Sequence, residues 1–580
     1  MSWTRRHFIQ SFAGAAAEVR FHRPVPDWLY SGATHAAAVE FEDTCPRSGI
    51  DFILQNSLTA HRYSIETMLG GVAAFDYNND GLLDLFFTNG AAIPTLEKSD
   101  PRFFNRLYHN NGDDTFTDVT RKAGVEGLGY SMGVAAGDYD NDGFVDLYVC
   151  GVNDNQLLHN NGDGTFTDVT SKAGVTGIHP KLGKQWSVTA GWFDYNNDGL
   201  LDLFITNYLD YDIATAPPCL LQGFPAYCRP HSFRGTVNML YRNNGDGTFT
   251  DVTESSLIGR HIGKGMGLAF ADYDNDGFMD IFVSNDSFRN FLFHNNGDGT
   301  FTETGVEMGA AYTPDGGTVA GMGAEFRDLD NDGRPELFQT AMFSDTFVLR
   351  KNAGDIFDDV TVASRIGSLT RSLTGWGVGA YDFDNDGRKD LFTANGAILD
   401  NEMEIEHRAY HLPCSLFRNT GGLKFEDVSG GAGAGFLMPG AHRGAAFGDF
   451  NNDGKIDIAI AVIGGPPKLL MNRTKNNNHW LTIALVGKRD NRNGLGAKIT
   501  IHTAKGVQYN HATTAVGYNS SSDKRVHFGL GDASLVDRVD IHWPSGHTQS
   551  VSAVKADQIL TIVQDESDGQ DAHSSIKNHR

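Results

Sequence analysis

The sequence is poor in two features that would assign it to common functional classes, namely long apolar runs and positive charge. Among its 580 residues, no apolar run reaches the roughly 18 residues that a membrane-spanning helix requires. Lys and Arg together number 47 against 72 Asp and Glu, so the formal net charge is −25. Because nonspecific nucleic-acid binding needs an excess of basic side chains on one face, we expect neither a membrane span nor a nucleic-acid partner.

Cysteine is also scarce, and the five cysteines are Cys45, Cys150, Cys219, Cys228 and Cys414. No C-x-x-C pair occurs, which argues against a zinc ribbon and against a thioredoxin-type redox motif. The odd number leaves at least one cysteine unpaired within the chain. Cys219 and Cys228 lie close together in a Pro-rich stretch, so we predict a disulfide between them, which fits an oxidising compartment.

Proline is sparse, with 17 residues, whereas glycine is abundant, with 68. This balance indicates many tight turns rather than a collagen-like chain. Glycine also stands at the centre of a nine-residue acidic motif, D-x-[DN]-x-D-G-x-x-[DE], whose recurrence is typical of a repeat protein. The motif begins at Asp76, Asp138, Asp194, Asp272, Asp328, Asp382 and Asp449.

Each motif stands between the same kinds of segment. A Gly/Ala-rich apolar run precedes it, an apolar strand follows it, and a turn such as Asn161-Gly162-Asp163-Gly164 then leads into a further strand. Asn-Gly and Asp-Gly turns between β-prone runs are typical of hairpins. Each unit therefore contains four short strands, the content of one propeller blade. We predict an all-β fold built on a seven-bladed β-propeller.

The seventh unit lacks its last strand in the expected place. Residues 41–44, with the sequence Phe-Glu-Asp-Thr, resemble the strand at 116–119 that ends the first unit. We predict that this N-terminal strand completes the seventh blade, which closes the ring and leaves no free sheet edge at the seam.

The motif supplies the oxygen ligands that calcium prefers, since calcium takes six to eight oxygens at about 2.3–2.6 Å. Positions 1, 3, 5 and 9 offer side-chain oxygens, position 7 offers a backbone carbonyl, and Gly at position 6 permits the sharp turn. We predict one structural calcium ion per motif, about seven in all, as the cofactor. The predicted ligands are Asp76, Asn78, Asp80, Leu82, Asp84, Asp138, Asp140, Asp142, Phe144, Asp146, Asp194, Asn196, Asp198, Leu200, Asp202, Asp272, Asp274, Asp276, Phe278, Asp280, Asp328, Asp330, Asp332, Arg334, Glu336, Asp382, Asp384, Asp386, Arg388, Asp390, Asp449, Asn451, Asp453, Lys455 and Asp457.

Neither an EF-hand nor a magnesium site fits the acidic motif as well as a calcium loop within a β-sheet. An EF-hand needs flanking helices and a Glu at position 12, where the first motif has Phe87. Magnesium keeps several waters and does not favour a cage made wholly of protein ligands. The carboxylates predicted as ligands are as numerous as the formal excess of negative charge, −25, and without a cation they would repel one another. Acidic turns without an ion remain the structural alternative.

The propeller region, roughly residues 39–475, resembles the FG-GAP/VCBS repeats of integrin α-subunit heads. The C-terminal region contains Asn491-Arg492-Asn493-Gly494-Leu495-Gly496-Ala497 and Trp543-Pro544-Ser545-Gly546, which look like the ASPIC/UnbV domain. A propeller of these repeats followed by this domain resembles the cartilage acidic protein 1-like family, which implies a secreted calcium-binding protein. Apolar alternation over 478–563 independently predicts a small antiparallel β-sandwich. The segments that resemble the ASPIC/UnbV domain are His479-Trp480-Leu481-Thr482-Ile483, 491–497, 525–531 and Trp543-Pro544-Ser545-Gly546.

We therefore expect an N-terminal signal-like segment and linker at 1–38, a propeller at 39–475, an ASPIC/UnbV β-domain at 476–564 and a disordered tail at 565–580. Arg5 and Arg6, followed by a short apolar run, resemble a twin-arginine export signal. We expect an extracytoplasmic location, periplasmic or secreted, with twin-arginine export as the route.

The sequence predicts no catalytic residues. Residues 129–133 match the G-x-S-x-G pattern around Ser131, but they begin an inner strand and not the strand–turn–helix that a nucleophilic serine needs. A set of large residues precedes the inner strands, and it is interpreted either as core packing or as the lining of a ligand pocket. These residues are Met68, Met132, Trp186, Met266, Met322, Trp376 and Arg443.

The function that these features favour is a calcium-stabilised binding or adhesion module for an unidentified protein or glycan. Insertions at 208–238 and 396–415 would decorate one face of the propeller, where loops are free to bind. Two alternatives remain open: a propeller-scaffold enzyme that acts on an extracellular polymer, and a calcium-dependent assembly protein. The enzyme requires a pocket with converging acid and base residues, and the assembly protein requires concentration-dependent association. The sequence does not indicate the oligomeric state.

Overall fold

The computed structural model describes residues 39–565. The signal-like segment at 1–38, and all of the expected tail except Asp565, lie outside the described residues. Within residues 39–565, no helix is both long enough and apolar enough to cross a membrane.

Strands dominate the described part of the chain, and most are three to eight residues long. Those of the propeller region are β1 (Phe41–Asp43), β2 (Val72–Phe75), β3 (Asp84–Phe87), β4 (Arg106–Asn110), β5 (Phe116–Asp118), β6 (Tyr130–Gly137), β7 (Asp146–Val152), β8 (Gln156–Asn160), β9 (Phe166–Asp168), β10 (Ser187–Phe193), β11 (Asp202–Asn207), β12 (Cys219–Leu221), β13 (Phe224–Ala226), β14 (Thr236–Val237), β15 (Met239–Asn243), β16 (Phe249–Asp251), β17 (Ile262–Gly263), β18 (Gly265–Ala271), β19 (Asp280–Asn285), β20 (Phe291–Asn295), β21 (Phe301–Glu303), β22 (Gly321–Arg327), β23 (Glu336–Ala341), β24 (Val348–Asn352), β25 (Phe357–Asp359), β26 (Gly375–Tyr381), β27 (Asp390–Asn395), β28 (Ser415–Asn419), β29 (Phe425–Asp427), β30 (His442–Gly448), β31 (Asp457–Val462) and β32 (Lys468–Asn472). The remaining strands are β33 (His479–Val486), β34 (Lys498–Thr503), β35 (Gly506–His511), β36 (Val526–Gly531), β37 (Leu535–His542), β38 (Thr548–Lys555) and β39 (Gln558–Val563).

Helices are short. The α-helical turns are α1 (Thr120–Ala123), α2 (Thr170–Ala173), α3 (Ile366–Thr370), α4 (Glu402–Ile405) and α5 (Ala434–Leu437). The 3-10 turns are Cys45–Arg47, Ser64–Thr67, Pro101–Phe103, Pro230–Ser232, Ile258–Arg260 and Ser429–Gly431.

Seven four-stranded antiparallel sheets, called blades here, make up the propeller region, as the repeat predicted. Their innermost strands contact one another in sequence, and β30 contacts β2, so the described chain forms a closed ring. The number of sheets is consistent with a seven-bladed propeller. From blade 1 to blade 7 the sheets are β2-β3-β4-β5, β6-β7-β8-β9, β10-β11-β15-β16, β18-β19-β20-β21, β22-β23-β24-β25, β26-β27-β28-β29 and β30-β31-β32-β1.

The N-terminal strand closes the ring, which confirms the prediction from its sequence. β1 pairs antiparallel with β32, so that Phe41 lies opposite Asn472. The Phe41 side chain is buried and stacks on Phe436 with ring centroids 5.6 Å apart. The outer edge of blade 7 is therefore built from the two ends of the propeller sequence.

The Gly/Ala-rich composition of the inner strands follows from how closely neighbouring blades approach. A Cβ on Gly133 in β6 would lie 2.4 Å from the Val188 carbonyl oxygen of β10, and one on Gly267 in β18 would lie 2.1 Å from the Met322 carbonyl oxygen. Only glycine permits backbones to pack at this distance.

The C-terminal strands form two sheets around their own core. One has the order β35-β34-β37-β38 and is antiparallel, whereas the other has the order β36-β33-β39. The expectation of an antiparallel sandwich is wrong for the second sheet, because β33 and β39 run parallel, with Leu481 opposite Gln558. β39 returns after the β37–β38 hairpin of the other sheet, and a strand that crosses between sheets can run parallel to its partner.

A segment of the C-terminal region, residues 512–524, fills the centre of the ring; we call it the plug. Its backbone hydrogen-bonds to inner strands: Ser521 N–H donates to the Val72 carbonyl (3.0 Å), and Val134 N–H donates to the Asn519 carbonyl (3.0 Å). On other blades, Gly517 exchanges two backbone hydrogen bonds with Ala324 in β22. The C-terminal region is thus docked through the middle of the propeller.

The plug reaches the large residues that precede the inner strands. The Tyr518 hydroxyl donates to the Met68 carbonyl (2.6 Å), and its ring lies 5.2 Å from that of Trp376. Arg443 is buried with its guanidinium 4.1 Å from the Trp376 ring centroid. The whole set, which also includes Met132, Trp186, Met266 and Met322, is at most 3% exposed. This supports the core-packing interpretation and not the ligand-pocket interpretation.

The two insertions meet across the ring. The Asn401 amide donates to the Pro225 carbonyl (2.9 Å), which joins the blade 6 insertion to the blade 3 insertion. Arg62, from the segment that precedes β2, forms two 3.0 Å hydrogen bonds with Asp400. Cys219 and Cys228 are joined by a disulfide at the base of the β12–β13 hairpin. The other cysteines, at 45, 150 and 414, are free and buried.

Candidate metal centres

Each acidic motif forms the loop between the first and second strands of a blade, for example residues 76–84 between β2 and β3. In a four-stranded antiparallel sheet, successive connections alternate between the two ends of the sheet. The seven acidic loops therefore lie on one face of the ring, called the loop face. The insertions, which connect the second and third strands of blades 3 and 6, lie on the opposite face.

The backbone of every loop wraps around the side chains at positions 1 and 5. In loop 1, Gly81 N–H donates to an Asp76 carboxylate oxygen (2.8 Å) and Leu82 N–H donates to Asp80 (2.9 Å). The same two hydrogen bonds recur in the other six loops at 2.7–3.0 Å. The predicted ligands at positions 1, 3 and 5 are thereby held together on the inside of a tight turn.

The side chain at position 9 is the most deeply buried ligand in each loop. These carboxylates are at most 1% exposed, and burial raises their pKa. Among those with a defined value, the pKa of Asp84 rises to about 8, that of Asp146 and Asp280 to about 7, and that of Glu336 to about 9. Burial of several carboxylates at one point is unfavourable unless a cation neutralises them.

The oxygens also converge as a cation site requires. In loop 2, oxygens of Asp138, Asp140 and Asp142 lie within 4.8 Å of one another, as do those at positions 1, 3 and 5 of loops 4 and 5. Asp138 is fully buried, yet its Oδ1 accepts no hydrogen bond, and Oδ2 of the buried Asp390 in loop 6 also accepts none. A hard divalent cation with oxygen ligands fits these atoms. The predicted carbonyl ligand at position 7 stays a prediction.

Sequence reasoning missed the asparagine at position 4, which occurs in every loop with a left-handed backbone, φ 56° to 63°. In six loops its amide donates to the carbonyl of the position-6 glycine in the next loop around the ring. The pairs are Asn79 with Gly143, Asn141 with Gly199, Asn197 with Gly277, Asn331 with Gly387, Asn385 with Gly454, and Asn452 with Gly81.

A second asparagine, at the end of the third strand of each blade, was also missed. Its amide donates at 2.7–2.9 Å to the position-2 carbonyl of the preceding blade's loop. In every loop except loop 5, its backbone N–H also donates to the position-9 carboxylate. The same asparagine occurs at this position in all seven repeats, and this repetition is a signal that the sequence alone contains. The residues are Asn110, Asn160, Asn243, Asn295, Asn352, Asn419 and Asn472.

Asn295→Ala is expected to lower the free energy of unfolding by about 2–4 kcal/mol, because it leaves two buried carbonyls without a donor. The lost bonds run from the Asn295 amide to Tyr195 (2.7 Å) and to Met279 (3.1 Å). The control is Asn296→Ala, whose exposed side chain bonds only within its own turn, to Thr300 and Thr302. Urea denaturation measures the free energy of unfolding of both variants. Equal, small losses in the two variants would contradict a role for Asn295 in joining neighbouring blades.

The C-terminal region covers much of the loop face and contacts the position-4 asparagines. The Arg492 backbone N–H donates to Asn141 (2.7 Å), the Lys498 ammonium to Asn275 (2.7 Å), and Arg525 to Asn452 (2.9 Å). Loop 1 instead faces a cavity of about 950 Å³ that is also lined by Trp480.

The G-x-S-x-G serine has no catalytic surroundings. Ser131 is buried in β6, and its backbone N–H donates to the Asn89 carbonyl. Among residues 39–565, no histidine or carboxylate is hydrogen-bonded to its hydroxyl.

Comparisons with known proteins agree with this architecture. A family profile described as FG-GAP-like repeat matches residues 76–149, 141–205, 230–283, 282–339 and 328–393. A second profile, described as ASPIC and UnbV, matches residues 487–569. The chain belongs to the FG-GAP repeat family. Residues 487–569 match the ASPIC/UnbV domain, and blade 7 lies outside the matched FG-GAP ranges.

Two relatives match most of the chain. Cartilage acidic protein 1 of Mus musculus is 25% identical over 508 residues, which cover 85% of this chain and 73% of the relative. Cartilage acidic protein 1 of Xenopus tropicalis is 24% identical over 452 residues, covering 75% and 64%. A solved structure of BBS1N in complex with ARL6DN superimposes with a TM-score of 0.40 at 10% identity, covering 76% of this chain and 99% of that chain.

Proposed function

We propose that this FG-GAP protein is an exported binding module in which calcium ions hold the acidic loops closed. The observation that carries the proposal is the convergence of buried carboxylates in loops that supply only oxygen ligands at positions 1, 3, 5 and 9. Buried oxygens without a hydrogen-bond donor, on Asp138 and Asp390, point to a missing positive partner.

Calcium fits these loops better than other common ions. The side chains at positions 1, 3, 5 and 9 of the loops are carboxylates or amides, which are hard ligands. Zinc and copper favour histidine and cysteine, and the histidines nearest the loops, such as His159 beside Asp146 at 3.2 Å, lie in only some blades. Backbone N–H groups of the chain fix the shape of each loop. The ion therefore has a structural role, in closing the loop, and not a catalytic one.

The face that carries the insertions is the proposed binding face. The loop face, on the other side of the ring, is covered by the ASPIC/UnbV domain. The plug fills the centre of the ring. On the insertion face, Leu220, Phe224 and Met403 are 71%, 41% and 59% exposed. Exposed apolar side chains on ordered loops are typical of protein or glycan recognition, and we propose a partner of one of these two kinds.

Export is supported by the chemistry of the chain. A disulfide between Cys219 and Cys228 persists in oxidising compartments. Oxygen-ligated loops of this type match the calcium concentrations outside the cytoplasm, about 10⁻⁴–10⁻³ M. We therefore propose a periplasmic or secreted location for this chain.

The test is a count of bound calcium, paired with a thermal melt. We expect close to one ion per acidic loop after dialysis against millimolar calcium, and a much lower melting temperature after EGTA treatment. When the free calcium concentration is a hundred times the Kd of a site, binding at that site adds about 2.7 kcal/mol to the free energy of unfolding. Plasma emission spectrometry and calorimetry measure the two quantities. A protein with no more than one bound ion and an unchanged melt would refute the proposal.

A further inference from the structure

The cavity beside loop 1 is enclosed jointly by the propeller and the C-terminal region. Loops 1 and 7 line it from the propeller, whereas β33, β39 and the end of the plug line it from the C-terminal region. Its volume of about 950 Å³ lies at the upper end of the usual range for small-molecule sites, about 300–1,000 Å³. The cavity can therefore hold a ligand of about the size of a disaccharide.

The wall of the cavity on the side of β33 is aromatic and apolar. Leu481 and Ile483 of β33 point into the C-terminal core. The alternate residues Trp480 and Ala484 therefore point the other way, and both line the cavity. The Trp480 ring packs closely on loop 7, because a Cβ on Gly454 would lie only 1.9–2.2 Å from three of its ring atoms. This packing fixes the aromatic ring at the cavity wall.

Three hydrogen-bond donors on the cavity lining have no acceptor. They are the Lys524 ammonium, the Asn493 amide NH₂ and the Trp480 indole N–H. Within residues 39–565, none of these groups donates a hydrogen bond, and Lys524 forms no ion pair. The orientation of the Asn493 amide is set by its oxygen, which accepts from the Asp138 backbone N–H (2.9 Å). A ligand that supplies acceptors would satisfy all three donors.

The carboxylates that line the same cavity already have partners. Asp557 lies 2.7 Å from Nδ1 of His479, and Asp523 forms an ion pair with Arg525 (2.6 Å). The other carboxylates on the lining belong to loop 1, where they are predicted calcium ligands. With calcium in that loop, the cavity offers free donors and a free positive charge, which together favour an anionic ligand.

The free groups match the parts of an acidic sugar. A single ammonium beside an amide NH₂ suits one carboxylate, whereas the planar fork of an arginine is the usual partner for bidentate recognition of phosphate. The Trp480 ring offers an apolar surface and a polar N–H, and a sugar ring likewise has an apolar face and hydroxyl groups at its edge. The cavity therefore combines the contacts that a carboxylated sugar requires.

We propose that this cavity binds an acidic saccharide, with a uronate carboxylate held by Lys524 and Asn493 and the sugar ring packed against Trp480. The site lies on the loop face, so it is separate from the binding face proposed above. The inference rests on the proposed function in one respect, because the carboxylates of loop 1 would repel an anion unless calcium neutralises them. We therefore expect EGTA treatment to weaken saccharide binding.

Isothermal titration calorimetry of the full-length protein in millimolar calcium tests the site with two matched pairs of disaccharides. The pairs are digalacturonate with digalactose, and cellobiouronate with cellobiose. In each pair the acidic member carries carboxylates where the neutral member carries hydroxymethyl groups. We expect an acidic disaccharide to bind, and its neutral counterpart to bind at least roughly tenfold more weakly, because the charge-assisted hydrogen bond to Lys524 is lost.

Three variants locate the site. Lys524→Met keeps a side chain of similar length without the charge, and it should weaken binding of the acidic disaccharide roughly tenfold or more. Ala484→Trp fills the cavity without removing a charged group, and it should abolish binding. The matched control is Lys505→Met, because Lys505 is exposed and pairs with Asp532 (3.0 Å) away from the cavity. The control should bind as wild type does.

A calcium count on the same samples separates this inference from the proposed function. If the protein binds calcium but neither acidic disaccharide, the saccharide site is refuted and the proposed function stands. Equal affinity for the acidic and neutral members of each pair, or unchanged affinity in both cavity variants, also refutes the site. Saccharide binding by a protein that takes up no calcium refutes only the proposed function. If Lys524→Met does not fold, the matched probes and Ala484→Trp still decide.

Discussion

Tyr518→Ala is expected to lower the free energy of unfolding of the whole described chain by about 3–5 kcal/mol, the usual cost of removing a large buried side chain. Tyr518 is fully buried at the centre of the ring, where it contacts Trp376 and donates to the Met68 carbonyl. Because the plug bonds to inner strands of several blades, the loss should appear in one unfolding transition and not in the ASPIC/UnbV domain alone.

Urea denaturation followed by far-UV and near-UV dichroism measures this effect. Tyr518→Phe is the control, since it removes only the hydroxyl, and the Asn519 amide still donates to the Met68 carbonyl (2.8 Å). We expect the control to cost about 1 kcal/mol. Two separate transitions in Tyr518→Ala, with the propeller unfolding as in wild type, would show that the plug does not stabilise the ring.

In calcium-free buffer, the melting temperature is expected to fall as the pH rises from about 5 to about 9, whereas with saturating calcium it is expected to change little over the same range. The cause is the set of buried loop carboxylates, whose pKa is raised by burial in the ion-free protein, to about 8 for Asp84 and about 9 for Glu336. In the unfolded chain these groups ionise near pH 4.

The sign follows from proton uptake. A carboxyl whose pKa is raised in the native state holds its proton there while the unfolded chain has already released it, so its stabilising contribution is complete at pH values below the unfolded pKa. That contribution is lost as the pH rises through the native pKa, here about 7–9 for Asp84, Asp146, Asp280 and Glu336. Calcium binds the ionised form, so in the calcium-loaded protein the native and unfolded states have both released these protons above about pH 5, and the loop carboxyls add no pH dependence there.

Differential scanning calorimetry across this pH range, with EGTA and with calcium, tests the prediction. Each unit of pKa shift corresponds to about 1.4 kcal/mol, so several loops together give a change of several degrees or more. Parallel pH profiles in the two buffers would mean that the loop carboxylates do not bind the ion. The experiment needs no substitution, and Asp163, an exposed turn residue whose pKa is lowered by its Thr165 hydrogen bonds, represents carboxylates that do not contribute to the difference between the two buffers.

The parts of the molecule that could be predicted from sequence are those that local chemistry determines. The acidic loops follow from ligands at fixed spacing around one glycine, and the strand partition follows from the turns between them. The pairing of β1 with β32 was also predictable, because Phe41 begins a copy of a strand that the seventh unit lacks. Each of these inferences needs only residues within one repeat, or the comparison of one repeat with another.

The remaining features depend on partners distant in the chain. Asn295 and its equivalents looked like turn residues, but their amides bond to the neighbouring blade, and no spacing rule places one blade beside the next. The plug, residues 512–524, is rich in Ser, Thr and Gly and has the composition of an exposed loop. It is ordered because the inner strands supply hydrogen-bond donors and acceptors. These partners cannot be inferred from the sequence of the plug. The parallel β33–β39 pair was missed for the same reason.

The pairing of β1 with β32 also determines when the ring can close during synthesis. Roughly 430 residues separate Phe41 from its partner Asn472, and ribosomes add roughly 5–20 residues per second. β1, the first of the described strands, therefore waits on the order of 20 to 90 s for the last propeller strand, and the plug is made later still. Blades 1 to 6 can form as they emerge, but the nascent chain carries an open seam, with Phe41 uncovered, until β32 has been synthesised. Cellular factors that shield apolar strands would be needed longest at the beginning of this chain.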